Sequence, residues 1–403
     1  MIARVRQPII TLTILLLAIG FLYAQDFVPT HVRELEEHYN AVMDIIGIDR
    51  GWLSSAVVPF AHQRGVKVKL CATLFGSSKL ETFLSNPIYR ERAITKLLQL
   101  VKSKRADGVD IDFELLPSSQ RENLVTFMQN LTWAFHNGIP GSIVTMATPA
   151  VDWSGAWDYD ALADIVDGLF IMGYDYHWGG SSNAGPVSPL DGFSRTVRWS
   201  VDDYLAKTGG KSDKIILGLP YYGYDWPVLK EQKYASTLGQ GTARLYTQAS
   251  PMAQSSGYRW DNNSSTPWFN YLTGTTYHQV WWDDSLSLSL KYDLALENNL
   301  GGVGMWALGY DEGHTELWGA LSDHFLVSHT APPQKPSGLI ALNNTDGSIT
   351  VSVPQVAYTD SYHVYITTDG NTYTHHAASN RPALTMTDLP WDQPVYLTVT
   401  ASN

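Results

Sequence analysis

An α/β fold, a (β/α)8 barrel with a small insertion before its last strand and a C-terminal β-sandwich, is what this sequence predicts, and three observations predict it. Over residues 66–326, short β-rich runs alternate with stretches of helical period. The runs are apolar enough for burial on both faces, as in a parallel sheet covered by helices. Polar and aromatic residues gather at the C-terminal ends of these runs, the face on which such barrels carry their active sites.

In chain order, the first 24 residues combine basic Arg4 and Arg6, an apolar run over 9–23 and small Ala24. This pattern predicts a secretory signal peptide cleaved after Ala24, hence a secreted (extracellular or periplasmic) protein with no stable membrane anchor. An uncleaved anchor is the alternative, against which the run is short for a span. The stretch 25–64 is brief, since one βαβ unit takes about 30 residues or more, and residues 51–64 already resemble a second helix. The barrel is therefore expected to lack its first strand or strands.

The runs that read as strands are 66–75, 107–116, 142–150, 168–178, 214–226 and 301–311, with helices over 86–104, 119–137 and 285–298. Residues 225–281 are too many for an ordinary βα loop. A helix near 243–255 and aromatic strand-like pieces mark them as a small insertion beside the site, with an irregular surface loop as the alternative. After residue 326 the composition changes: APPQKP (331–336) reads as a linker, and SITVSV, YHVYIT, ALTMTDL and VYLTVTAS read as strands of a sandwich. The expected organisation is a signal peptide (1–24), a catalytic barrel (25–330) and an incomplete β-sandwich module (331–403).

Composition narrows the function. With 16% charged and 44% hydrophobic residues the chain builds a sizeable core. A net charge of −12 argues against nucleic acid or an anionic membrane surface as a partner. The single cysteine, Cys71, excludes intrachain disulfides and reads as a core thiol. The 14 Trp and 22 Tyr supply flat faces with polar handles, which suit sugars, although many rings must serve the core.

DGVDIDFELL (107–116) carries the chemistry. In a strand, Asp110, Asp112 and Glu114 point to one face and Val109, Ile111, Phe113 and Leu115 to the other. A solvated acidic face and an oxygen-rich metal site both fit this spacing. Glu114, Asp152 and Trp153, Tyr174 and Asp175, Tyr221 and Tyr222, and Trp306 all fall at strand ends, which tips the reading toward catalysis.

These residues resemble a known family. Asp107, Asp110, Asp112 and Glu114 match the D-x-x-D-x-D-x-E signature of glycoside hydrolase family 18, the chitinase-like enzymes. MGYD (172–175), the Tyr221 and Tyr222 pair before Gly223, HQVWWDD (278–284) and GVGMWALGYD (302–311) match it in the same order. The likeness covers residues 66–326, and the tail resembles a fibronectin type III module.

The resemblance implies that Glu114 is the general acid, that Asp112 orients the substrate acetamido group and that Asp110 supports Asp112. It also implies that Met172, Tyr174, Asp175, Tyr221 and Tyr222 bind substrate and that Trp306 is the floor for a stacked sugar. The implied activity is that of a secreted, monomeric, retaining hydrolase of chitin or a related N-acetylglucosamine glycan. The acetamide itself acts as nucleophile, without metal or cofactor. Peptidoglycan or N-glycan cores are alternative substrates. A non-catalytic chitin-binding lectin is the alternative from another class, opposed by the presence of Glu114.

Three departures from the family stand out. Phe113 replaces a frequent Trp, Leu115-Leu116 replaces an aromatic-Pro pair, and ATLFG (72–76) replaces Ser-x-Gly-Gly. All three are expected around the subsites.

Overall fold

A computed structural model describes residues 47–48, 57–312, 314–325 and most of 335–402. The segment read as a signal peptide, nearly all of 25–56 and most of the linker lie outside the described residues. Two compact units part at Asp283 and at His314, the second also taking in Asp284–Tyr292.

The first unit is centred on a seven-stranded sheet. Its strands run β1 (Gly47–Ile48), β2 (Lys69–Phe75), β3 (Gly108–Glu114), β4 (Ile143–Pro149), β5 (Gly168–Met172), β6 (Ile215–Pro220) and, after an excursion of five strands, β12 (Gly302–Trp306). The last six pair in parallel in that order. With the helices between them they form the expected barrel-like α/β domain. Among the described residues, only β1 precedes these six, and it lies antiparallel to β2.

Helices α1 (Val57–His62), α2 (Ser77–Leu84), α3 (Pro87–Lys104) and α4 (Arg121–Gly138) belong to the first half of this unit. The Asn86 side chain caps α3, accepting from Ile88 N at 3.0 Å, with Pro87 at the first helical position. Leu124, Phe127, Met128, Leu131 and Phe135 recur at three- and four-residue spacing on α4 and are buried. They share a core with Val109, Ile111 and Phe113, the apolar face of β3. Phe113 lies edge-on to Phe83 at 5.7 Å and stacks on Phe127 at 5.8 Å. The departure at Phe113 is therefore taken up by core packing on the helical side of the sheet, and does not touch the subsites.

On the other face, Phe170 of β5 occupies room left by glycines of β6 and β12. A Cβ at Gly218 would come within 2.2 Å of the Phe170 ring and 2.7 Å of the Ile171 carbonyl, and one at Gly304 within 2.4 Å of the same ring. Gly218→Ala is expected to destabilise the protein by about 1–3 kcal/mol, the usual cost of overpacking. It would appear as a lower urea midpoint at unchanged m-value.

The run 214–226, a single strand by sequence, changes sheets midway. β6 ends at Pro220 in the parallel sheet, and β7 (Tyr222–Val228) joins a five-stranded antiparallel sheet with β8 (Thr242–Leu245), β9 (Arg259–Asp261), β10 (Thr266–Thr273) and β11 (Thr276–Trp281). The excursion is therefore an ordered lobe with its own core, where Trp268 and Tyr234 stack on Trp281 at 5.3 and 5.2 Å. Buried Asp225 lies 2.6 Å from the Arg244 guanidinium and 2.9 Å from His278 Nδ1 within it, and accepts from the Tyr271 hydroxyl at 2.7 Å.

In the second unit, two three-stranded antiparallel sheets, Ile340–Asn343 with Ile349–Ser352 and Ala383–Met386, and Thr374–Ser379 with Ser361–Thr367 and Tyr396–Ser402, share a core of Val351, Val364, Met386 and Val399. No helix among the described residues is long and apolar enough to cross a membrane.

Candidate active site

β3 delivers its acids in graded burial. Asp110 is 1% exposed, Asp112 4%, and Glu114 is half-buried at the strand end. Register explains the deepest one: Asp110 lies opposite Cys71 of β2 and Thr145 of β4. The Thr145 hydroxyl donates to Asp110 Oδ1, the Cys71 thiol sits 4.0 Å from Oδ2, and buried Lys69 stands 3.8 Å away and donates to Thr145. Lys69 and Thr145 are the partners that sequence reasoning missed. Their signal was a lysine two residues before Cys71, on the same face of a strand destined for burial. Cys71 is buried as expected, but it faces this polar group.

Asp112 differs in that its Oδ1 is buried and meets no hydrogen-bond donor among the described residues. Burial pushes its carboxyl well up from the usual range, and the charges of Glu114 and Asp110 add to the shift. Glu114 is raised by burial and by Asp175. Two neighbouring acids with raised affinities retain a proton where isolated carboxyls lose theirs, and a general acid requires such a proton. Leu115, directly after Glu114, is 70% exposed with φ 64°, a conformation that a branched side chain rarely adopts, and its carbonyl accepts from the Ser77 hydroxyl at 2.7 Å.

Above the acids lies a cleft of about 900 Å³. Of the residues expected at the site, Asp112, Glu114, Met172, Tyr174, Asp175, Tyr222 and Trp306 line it together. Strand β5 ends at Met172, which frees Tyr174 and Asp175 to turn inward, Asp175 at φ 59°. Burial raises Asp175, while hydrogen bonds from Tyr222 and Tyr224 oppose the rise, the Tyr222 hydroxyl donating at 2.6 Å. The Tyr174 hydroxyl is held protonated well above its ordinary range by burial and by the surrounding carboxylates.

Asp110 and Tyr221 do not line the cleft. Asp110 lies two residues before Asp112 on the same face of β3, among Thr145, Lys69 and Cys71. Tyr221 is fully buried at the crossing between the two sheets, where its backbone N–H donates to the Trp306 carbonyl at 2.8 Å. The sequence pair looked equivalent, but a change of sheet between the two residues sends their side chains to different places.

Trp153 is 80% exposed on the cleft wall, whereas neighbouring Asp152 turns back to accept the Ala156 and Trp157 N–H groups. His177, Trp178, Arg195, Tyr224 and Tyr310 also line the cleft. Sequence reading did not single them out, because Tyr224 lies on the strand that leaves the parallel sheet and the others on segments whose path only the fold sets. Among the described residues no cluster of three or more His, Cys, Asp or Glu is arranged to hold a metal ion.

The family model for glycosyl hydrolases family 18 matches residues 58–311. Rat di-N-acetylchitobiase is 29% identical over 311 residues, covering 67% of this chain and 80% of that protein. YdhD of Bacillus subtilis (strain 168), which carries the name of a sporulation-specific glycosylase, is 29% identical over 288 residues, covering 69% of this chain and 64% of its own length. Among solved structures, the C-terminal domain of a Desulfitobacterium hafniense DCB-2 protein described as a chitinase matches with a TM-score of 0.60 and 30% identity, over 67% of this chain and 82% of that one. A family match over more than half of the chain, joined to an acid-lined cleft at the C-terminal ends of a parallel sheet, makes this protein a glycoside hydrolase and a member of family 18.

Proposed function

We propose that the cleft hydrolyses β-1,4-linked N-acetylglucosamine-containing glycans, chitin among them, by substrate-assisted catalysis with retention, and that the protein does so after secretion. The observation that carries this reading is Asp112: a buried carboxyl with an oxygen lacking any donor, beside a half-buried acid in an aromatic cleft. A lone buried acceptor costs roughly 1–3 kcal/mol, and an acetamido N–H from the substrate would satisfy it.

In this mechanism Glu114 gives its proton to the glycosidic oxygen as the C1–O bond breaks. The carbonyl oxygen of the substrate's own acetamide attacks C1 and closes an oxazolinium ring. Asp112 accepts from the acetamide N–H and stabilises the positive charge, with Asp110 held beneath it by Thr145 and Lys69. The Tyr174 hydroxyl donates to the acetamide oxygen, and Trp306 carries the sugar face. Water, deprotonated by Glu114, then opens the ring at C1 and restores the β configuration. Asp175, tied to two tyrosines, is left to hold the sugar.

Names among the relatives support this substrate class, since di-N-acetylchitobiases recur. A second reading, peptidoglycan, shares the acetamido group and draws on the relative named for sporulation and on one cation in the cleft, treated below. We read the C-terminal sandwich as a fibronectin type III spacer. Proton NMR of the first products from chitin oligomers tests the mechanism. The β-anomer is expected, and initial release of the α-anomer would overturn it.

A further inference from the structure

Among the described residues, Arg195 is the one Arg or Lys side chain lining the cleft, against three carboxylates, Asp112, Glu114 and Asp175. It directly precedes the N-cap Thr196 of the helix Val197–Lys207. Its guanidinium carbon lies 4.1 Å from the centre of the Trp199 ring and 5.7 Å from that of Trp153. Nη1 donates to the Ser194 carbonyl at 2.9 Å, while Nε is buried and meets no acceptor among the described residues.

No carboxylate among the described residues pairs with it. Arg198, three residues on, has its own partner in Asp191 at 3.0 Å. A guanidinium within 4.1 Å of one indole centre and 5.7 Å of a second is attracted by both ring faces, and its fork of donors matches a carboxylate. Trp153, mostly exposed beside it, offers a stacking face for a sugar. An uncharged chitin chain has nothing to neutralise this cation.

We infer that Arg195 binds a carboxylate carried on a substituent of the glycan. The cleft then prefers β-1,4-linked N-acetylhexosamine chains with acidic side arms, such as the lactyl ether of N-acetylmuramic acid in peptidoglycan, over the same chains without charge. This rests on the glycosidase reading above and narrows its substrate class. The net charge of −12 repels an anionic glycan overall, so a preference for the acidic form needs a local cation.

The test uses peptide-free peptidoglycan strands with lactyl carboxylates either free or converted to methylamides. Reducing ends are counted for the wild type, Arg195→Gln and Arg195→Lys, and chitin oligomers are assayed in parallel. The expected kcat/KM ratio of free to amidated strands is about tenfold in the wild type, in line with a charge-assisted hydrogen bond. It should fall to about one in Arg195→Gln and be partly kept in Arg195→Lys. A wild-type ratio near one overturns the inference. So does an equal loss on both strands in Arg195→Gln, which would mean that the arginine only props Trp153. Inactivity on every substrate would instead remove the hydrolase reading, and calorimetric affinities for the two strand forms would then give the same ratio without turnover.

Discussion

Glu114→Gln is expected to lower kcat on N-acetylglucosamine oligomers by roughly 10²–10⁴-fold, the usual contribution of a positioned general acid. The amide keeps the shape of the side chain and loses the transferable proton, so affinity should stay within about threefold of wild type. Stopped assays for turnover, with calorimetry for binding, separate the two. A variant that binds and still turns over at near the wild-type rate would remove Glu114 from its role. The wild-type pH profile follows from the same residue. Its carboxyl lies above the ordinary range because burial and Asp175 disfavour the anion. The protonated, active form therefore persists at pH values where an exposed glutamate is ionised, and the rate falls as pH rises through the raised value. An alkaline limb at the position of an ordinary carboxylate would contradict this.

Removing the nucleophile from the substrate should be as damaging as removing the acid from the enzyme. Cello-oligosaccharides and fully deacetylated chitosan lack the acetamide, and no protein carboxylate is assigned to replace it. Their cleavage is expected to fall below detection. They should still bind weakly, because Trp306 and Trp153 offer stacking faces to any pyranose ring. The measurement is reducing-end release over long incubations, compared with acetylated oligomers of equal length. Efficient cleavage of cello-oligosaccharides would require a protein nucleophile, with Asp175 the first to examine, and would sink substrate assistance for this chain.

Much of the barrel and its acids was legible in the sequence, for a local reason. Period-two alternation in DGVDIDFELL places three acids on one face whatever surrounds them, and runs of Val and Ile flanked by helical stretches specify a parallel sheet. The helix expected over 86–104 forms as Pro87–Lys104, because helical period is a local property of the chain. Glu114, Asp112, Tyr174, Asp175 and Trp306 were named from strand ends and motifs, and the fold brings them to one cleft.

Tertiary structure alone decided the rest. Whether Asp110 is paired depends on Thr145 and Lys69, 35 and 41 residues away in sequence and adjacent only through strand register. Tyr221 and Tyr222 part company because the chain changes sheets between them, and Phe113 faces the helices because Phe83 and Phe127 receive it there. Arg195 became visible only once the fold set it on the cleft wall near Trp153, 42 residues away in sequence. Sequence periodicity states which face a residue takes. What waits on that face, and how far water is excluded from it, is set by contacts distant along the chain, and those contacts determine the charge each acid carries.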